Sequence, residues 1–319
     1  MGLFGISFDN EKFVEIEREY SKIYHWNDSS EALITAVDHF IELCNSLTPA
    51  EKTQFNKYVE KHSKKERSIG AFDHPLFGFF FKTDSVVDKI IQSAIYKKKI
   101  AEKEVATIKE YENIVDVAPT INSEGILERN KVSDMPEIKI QNITKSFDAD
   151  AKLPSFIVLD LETTGLRAST DRIIQVCALR YEQLKPTEAF ISYVNPGKHI
   201  SEEASKVNGI HDEDVKDAPA LNTISDSLID FIGKSPIVGF NVSFDLGFLF
   251  CSGIDLIAKR KIYDAKALAK KLYKSDIDYY SLDNVLKYNG ISIGGLHDAK
   301  ADCFATGLVF KQMLDEITA

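Results

Sequence analysis

The sequence is short of the features that mark secreted, zinc-stapled or membrane-inserted chains. Its four cysteines, Cys44, Cys177, Cys251 and Cys303, lie far apart, form no C-x-x-C pair and match no zinc spacing. Buried free thiols are therefore expected, with neither a disulfide frame nor a zinc knuckle. No apolar run approaches the ~18 residues that span a bilayer. The N-terminus, M-G-L-F-G-I-S, has neither a basic stretch nor a long apolar core, and Ile6 stands where a myristoylation signal takes Ser or Thr. A cytoplasmic protein without membrane association is the expectation. Positive charge is also scarce: 39 Lys and Arg against 49 Asp and Glu give a net charge of −10. That excludes coating of a polyanion by a broad basic surface, although not a local site at which cations meet phosphates.

What is present suits about two globular domains: 319 residues, 44% hydrophobic and 28% charged. Residues 1–117 read as a mainly helical domain. Asn27 to Ser30 offer N-caps to a stretch whose apolar residues, Leu33, Val37, Phe40, Ile41, Cys44 and Leu47, recur at the helical period. Thr48-Pro49-Ala50-Glu51 is a capping box with Pro in the first turn. A third periodic stretch runs from Val86 to about Tyr111 and carries Lys97, Lys98 and Lys99, read as solvated. The apolar run F-D-H-P-L-F-G-F-F-F (72–81) suits burial or partner docking. Residues 118–152, with Pro119, Pro136 and isolated isoleucines, read as a linker too poor in apolar clusters to fold alone. Within it, Q-N-I-T-K-S-F (141–147) is only loosely like the peptides that dock on sliding clamps.

From residue 153 strands and helices alternate. Ser155–Leu161, Arg172–Tyr181 and Ala189–Val194 read as an antiparallel meander, followed by helix 221–232, strand 236–240, and helices from 244, 265 and 298. The expectation is an α/β domain with a mixed sheet flanked by helices on both faces.

The first strand of that domain, F-I-V-L-D-L-E-T-T-G, holds two acids. Alternation puts Val158, Asp160 and Glu162 on one face and Ile157, Leu159 and Leu161 on the other. Two like charges ~4 Å apart at an effective dielectric near 20 repel by about 4 kcal/mol, a large fraction of a domain's stability. Asp245 begins a helix directly after a buried strand, at the edge where open α/β sheets bind ligands. Asp302 falls in the last helix on an otherwise apolar pattern, and His297 precedes it beside Gly294 and Gly295, on a loop suited to a mobile base. Singly, each has an ordinary structural explanation. Together, four carboxylates without a Cys or His cluster form the oxygen donor set that Mg²⁺ or Mn²⁺ prefers, and two such ions would offset the repulsion.

The motifs D-x-E-T-T-G (160–165), N-x-x-F-D (241–245) and H-x-x-x-x-D (297–302), in this order and spacing, resemble the DEDDh family of 3′-to-5′ exonucleases. That family has a ribonuclease H-like fold and is typified by the proofreading epsilon subunit of bacterial DNA polymerase III. The likeness covers about residues 154–319 and extends to N-G-I-H-D-E-D-V (208–215) and Y-S-L-D-N-V-L (280–286). It implies that Asp160, Glu162, Asp245 and Asp302 hold two divalent cations and that His297 takes the proton from attacking water. It also implies that the Thr163-Thr164-Gly165-Leu166 turn grips the terminal nucleotide, with Leu166 as a wedge, Glu162 reading the 3′ hydroxyl and Asn241 near the strand. Asn208 and Phe240 stand where relatives often carry His or another polar residue. The expected activity is metal-dependent 3′-to-5′ hydrolysis of single-stranded or frayed DNA to nucleoside monophosphates, in proofreading or repair, with a polymerase or other replication protein as partner. The alternatives are an exoribonuclease trimming RNA 3′ ends and a non-catalytic polymerase-binding module.

Overall fold

The computed structural model describes residues 11–24, 26, 29–63, 86–122, 127–258, 260–291 and 298–318. His297, Gly294, Gly295 and the run 72–81 lie outside the described residues. The chain divides into two compact units, Met1–Lys109 and Glu110–Ala319.

In the first unit, helices α1 (Glu11–Tyr24), α2 (Ser30–Asn45), α3 (Pro49–Ser63) and α4 (Val86–Glu112, which runs past the boundary) enclose a core of Phe13, Ile16, Tyr20, Val37, Phe40, Phe55 and Ile90. Ser29 caps α2 by accepting from the Ala32 amide. The capping box of α3 is reciprocal: Thr48 N–H donates to Glu51 Oε2 (2.7 Å), and Glu51 N–H donates to Thr48 Oγ1 (3.2 Å). Two of the three consecutive lysines are engaged within this unit. Lys97 donates to the Ile23 carbonyl (2.8 Å) and Lys98 pairs with Asp38.

The second unit contains β1 (Val115–Val117), α5 (Ala149–Lys152), β2 (Ser155–Thr163), β3 (Ile173–Glu182), β4 (Lys185–Tyr193), α6 (Glu202–Asn208), α7 (Asp212–Val215), α8 (Leu221–Ile232), β5 (Ile237–Gly239), α9 (Ser243–Cys251), β6 (Ile262–Asp264), α10 (Ala265–Tyr273), α11 (Leu282–Tyr288) and α12 (Ala299–Thr318). The sheet order is β1-β4-β3-β2-β5-β6. Strands β2, β3 and β4 form the expected meander, while β5 pairs with β2, and β6 with β5, in parallel through helical crossovers. This is the ribonuclease H-like mixed sheet. Alternation along β2 divides the core: Val158 packs with Cys177, Val238 and α12 on one face, whereas Ile157, Leu159 and Leu161 pack with α8 and α9 on the other. All four cysteines are buried and free.

Residues 118–152, expected as a linker, lie inside the second unit. Just before them β1 pairs with β4 at one edge of the sheet; further along, Ile140 bridges to Ile262 of β6 at the other. Between these edges Asn122 N–H donates to the Thr223 carbonyl, Asn130 to the Phe250 carbonyl and Arg129 to the Ala168 carbonyl. Ile143 and Phe147 of the clamp-like heptapeptide are buried in the domain's own core, so those side chains are not displayed for a partner. The apolar residues here are too scattered to make a core of their own, yet each fills a site built by distant elements.

Candidate active site

Asp160 and Glu162 project from the same face of β2, at the C-terminal end of the strand. A register shift follows at once: Glu162 pairs with Gln175, but Thr163 pairs with Ile173. Such a bulge ends regular pairing and re-aims the chain. Asp302 arrives from the first turn of α12, which packs on that face. Carboxylate oxygens of Asp160, Glu162 and Asp302 all lie within 4.8 Å of one another. Asp245, in the first turn of α9, is buried at 3% exposure, and its carboxylate accepts main-chain hydrogen bonds from its own residue and from Leu161. Strand β5 has already ended at Gly239, so Asp245 supplies β2 with an acceptor beyond that point.

Among the described residues no Lys, Arg or His contributes to the shifts of these gathered acids. Burial raises Asp160 well above the usual carboxylate range, and the charges of Asp245, Asp302 and Glu162 raise it further. Burial likewise raises Asp245, offset in part by its two main-chain hydrogen bonds and reinforced by Glu162 and Asp264. Glu162 is pushed up to about 8 by burial, then by Asp302 and Asp298, against a hydrogen bond with Asn208 that lowers it. Oxygen donors alone, converging at this distance and destabilised when ionised, fit a hard divalent cation.

The turn after β2 is held internally. Thr163 Oγ1 donates to the Gly165 carbonyl (2.7 Å), Thr164 N–H to the Arg172 carbonyl, and Arg172 N–H to Thr164 Oγ1. A Cβ on Gly165 would stand 2.6 Å from Asp171 Oδ2, the oxygen that accepts from Arg167 N–H, so any other residue would displace that carboxylate from its bond. Leu166 protrudes at 84% exposure. Asn241 is exposed and adopts a left-handed φ of 68°, with its N–H facing Asp264.

Three residues of this neighbourhood were not singled out as site residues from the sequence. Buried Asn208 donates to the Thr163 carbonyl (3.3 Å) and also bonds Glu162. Asp298 sits directly before α12, and Gln175 faces Glu162 across the ladder. An Asp before a helix is a readable N-cap signal, and Gln175 is the one polar residue in I-I-Q-V-C-A-L.

A mixed sheet in this strand order, with carboxylates collected at the end of its central antiparallel-to-parallel junction, is the ribonuclease H-like arrangement with an acidic site at the strand ends. Residues 157–310 match the family model described as Exonuclease (RNase_T), and that stretch resembles the 3′-to-5′ exonucleases of the DEDD kind, among them the epsilon proofreading module. The DNA polymerase III PolC-type of Caldanaerobacter subterraneus subsp. tengcongensis is 30% identical over 164 residues, covering 51% of this chain and 12% of that protein. Its counterpart in Clostridium perfringens is 29% identical over 186 residues, covering 56% and 12%. The chain thus matches 12% of the length of each of these relatives. A solved structure of exonuclease X in complex with 5′ overhanging duplex DNA aligns at 20% identity and a TM-score of 0.43, covering 50% of this chain and 92% of that one. No helix among the described residues is long and apolar enough to cross a membrane.

Proposed function

We propose that this protein removes nucleotides one at a time from the 3′ end of single-stranded or frayed DNA, releasing nucleoside monophosphates, with two Mg²⁺ or Mn²⁺ ions held by Asp160, Glu162, Asp245 and Asp302. The observation that carries this reading is the convergence of three of those carboxylates within 4.8 Å, with Asp245 acting electrostatically on Asp160. Bound divalent ions would neutralise the acids and stabilise negative charge on the phosphodiester and on the departing oxygen. The remaining work belongs to the chain. The Thr163–Gly165 backbone lies against the terminal nucleotide, Leu166 presents an apolar surface to its base, and Glu162 receives the 3′ hydroxyl. Asn241 sits beside the strand. His297, assigned on sequence alone, takes the proton from the attacking water. The PolC-type names of the relatives support replication or repair as the setting, with a polymerase or another replication protein as partner.

The test is incubation of 3′-labelled and 5′-labelled single strands with the protein and Mg²⁺ or Mn²⁺. Stepwise shortening from the 3′ end, abolished by chelation and by Asp160→Ala, is the expected result. Intact DNA, or shortening that Asp160→Ala leaves unchanged, would overturn the reading. Preference for RNA in competition between matched strands would move the substrate to RNA 3′ ends, and no hydrolysis of either would favour a tethering module. His297→Ala should slow turnover by roughly 10²–10⁴-fold.

A further inference from the structure

Helix α12 begins against the core: Ala299 is fully buried, and so is Cys303 one turn later, while Asp298, Lys300 and Asp302 are half-buried. The first three amides of this helix have no partner within it. All three are satisfied by two side chains. Ala299 N–H donates to Gln175 Oε1 (3.2 Å). Lys300 and Ala301 N–H donate to Asp298 Oδ1 (3.1 and 3.2 Å). Asp302 N–H donates to the Asp298 carbonyl (2.9 Å), the first bond of the helix's own ladder. Gln175 Nε2 then donates to the other carboxylate oxygen of Asp298 (3.2 Å), closing a ring between β3 and the start of α12. The amide orientation of Gln175 is dictated by chemistry, because Ala299 N–H can only donate and a carboxylate can only accept.

We propose that Gln175 and Asp298 act as a positioning clasp for the metal centre, fixing Asp302 in the frame of the β2 carboxylates; this rests on the exonuclease reading above. Gln175 is 2% exposed and is the ladder partner of Glu162, so its backbone is registered directly to one metal-site residue. Its side chain, through Ala299 and Asp298, sets where the turn bearing Asp302 starts. The distance at which Asp302 meets Asp160 and Glu162 is thereby determined by β3. Asp298, a fifth acid beside four others, is assigned to the helix amides and not to cation binding. Groups that orient a ligating carboxylate in this way typically change metal affinity or activity 10–100-fold when removed.

The test uses the full-length protein and Mn²⁺ alone, with affinity read by electron paramagnetic resonance or calorimetry in the absence of nucleic acid, and turnover measured separately. Gln175→Leu should weaken Mn²⁺ binding and lower kcat by ~10–100-fold while leaving KM for a single strand within a few-fold. Gln175→Glu should do the same, because two carboxylates would face each other. Adding Asp298→Asn to Gln175→Glu restores every contact, because the side-chain amide introduced at position 298 donates to the carboxylate introduced at position 175 while its oxygen still accepts from the Lys300 and Ala301 amides. Mn²⁺ affinity should then return to within about 3-fold of wild type. Where Gln175→Leu fails to fold, Asp298→Asn alone, which changes almost no volume, should still weaken Mn²⁺ binding. A double variant no better than Gln175→Glu, or folded single variants with wild-type Mn²⁺ affinity, would overturn the clasp. Wild-type protein that binds Mn²⁺ tightly but cleaves no nucleic acid would instead overturn the function and leave the clasp standing.

Discussion

Raising the pH should destabilise the metal-free exonuclease domain, and divalent cations should abolish that loss. Glu162 carries the clearest magnitude: its carboxyl is pushed from 4.5 to about 8, chiefly by burial and then by Asp302 and Asp298. Between those values the unfolded chain has lost the proton that the folded chain keeps, so stability falls as pH rises. The contribution is fully present below about 4.5 and gone above about 8. At ~1.4 kcal/mol per pH unit the loss has a ceiling of about 5 kcal/mol, which solvent access to this half-buried side chain reduces to roughly 2–4 kcal/mol. Asp160 and Asp245 move in the same direction, but the acids repel one another and hold their protons jointly, so their losses do not simply add.

The assay is urea unfolding of the domain by near-ultraviolet circular dichroism of its tyrosines, at a series of pH values from about 5 to 9, in chelator and in saturating Mg²⁺. In chelator the midpoint should fall steadily through neutrality. With Mg²⁺ it should stay flat, because the ions bind the ionised acids and add about 2.7 kcal/mol at a hundredfold excess over Kd. Trp26, the sole tryptophan, belongs to the other unit, and its fluorescence provides an internal reference. Glu162→Gln should shallow the slope. A metal-free midpoint that does not change with pH, or a Glu162→Gln slope equal to wild type, would refute the claim that these acids are held together against their charge.

Asp245→Asn should make the metal-free unfolding midpoint less dependent on pH, since it removes one of the acids that keep their protons on folding, while lowering nuclease turnover by ~10²-fold or more, as denaturation and a gel assay would show. Gly307→Ala should destabilise the domain by about 2–3 kcal/mol in urea, despite the ~1 kcal/mol that alanine adds to a helix. The reason is that the new Cβ would overlap the Oη and Cζ atoms of the buried Tyr181 ring. A protein spanning residues 110–319 should be soluble with a cooperative melt, whereas one spanning 153–319 should aggregate, since it loses Ile114, Ile143 and Phe147 from the core and uncovers both edges of the sheet. Arg129→Ala removes the bonds to the Ala168 and Ser169 carbonyls just after Leu166, and should raise KM for single strands about 5-fold with kcat little changed.

The division between what the sequence disclosed and what it hid follows from where each piece of information resides. The β2–β4 meander, α8 and α10 were legible because each carries its own period and turn residues. The Asp160–Glu162 pair was legible because charges on a buried strand need a reason. Short β1 and β6 were not: three residues have no period, and their strand character comes from the neighbours they pair with. The strap of residues 118–152 was misread for a related reason. Ile143 and Phe147 look isolated along the chain, and only the pocket formed by Tyr263 and the α10–α12 face makes them core residues. Asp298 shows the same limit at the site. By composition it is one more acid in a row with His297 and Asp302, and nothing in its letter separates it from a metal ligand. What separates it is that its oxygens already accept from Lys300 N–H, Ala301 N–H and Gln175. Whether a carboxylate is available to a cation therefore depends on main-chain donors that every residue but proline carries, and that no sequence pattern at the site distinguishes.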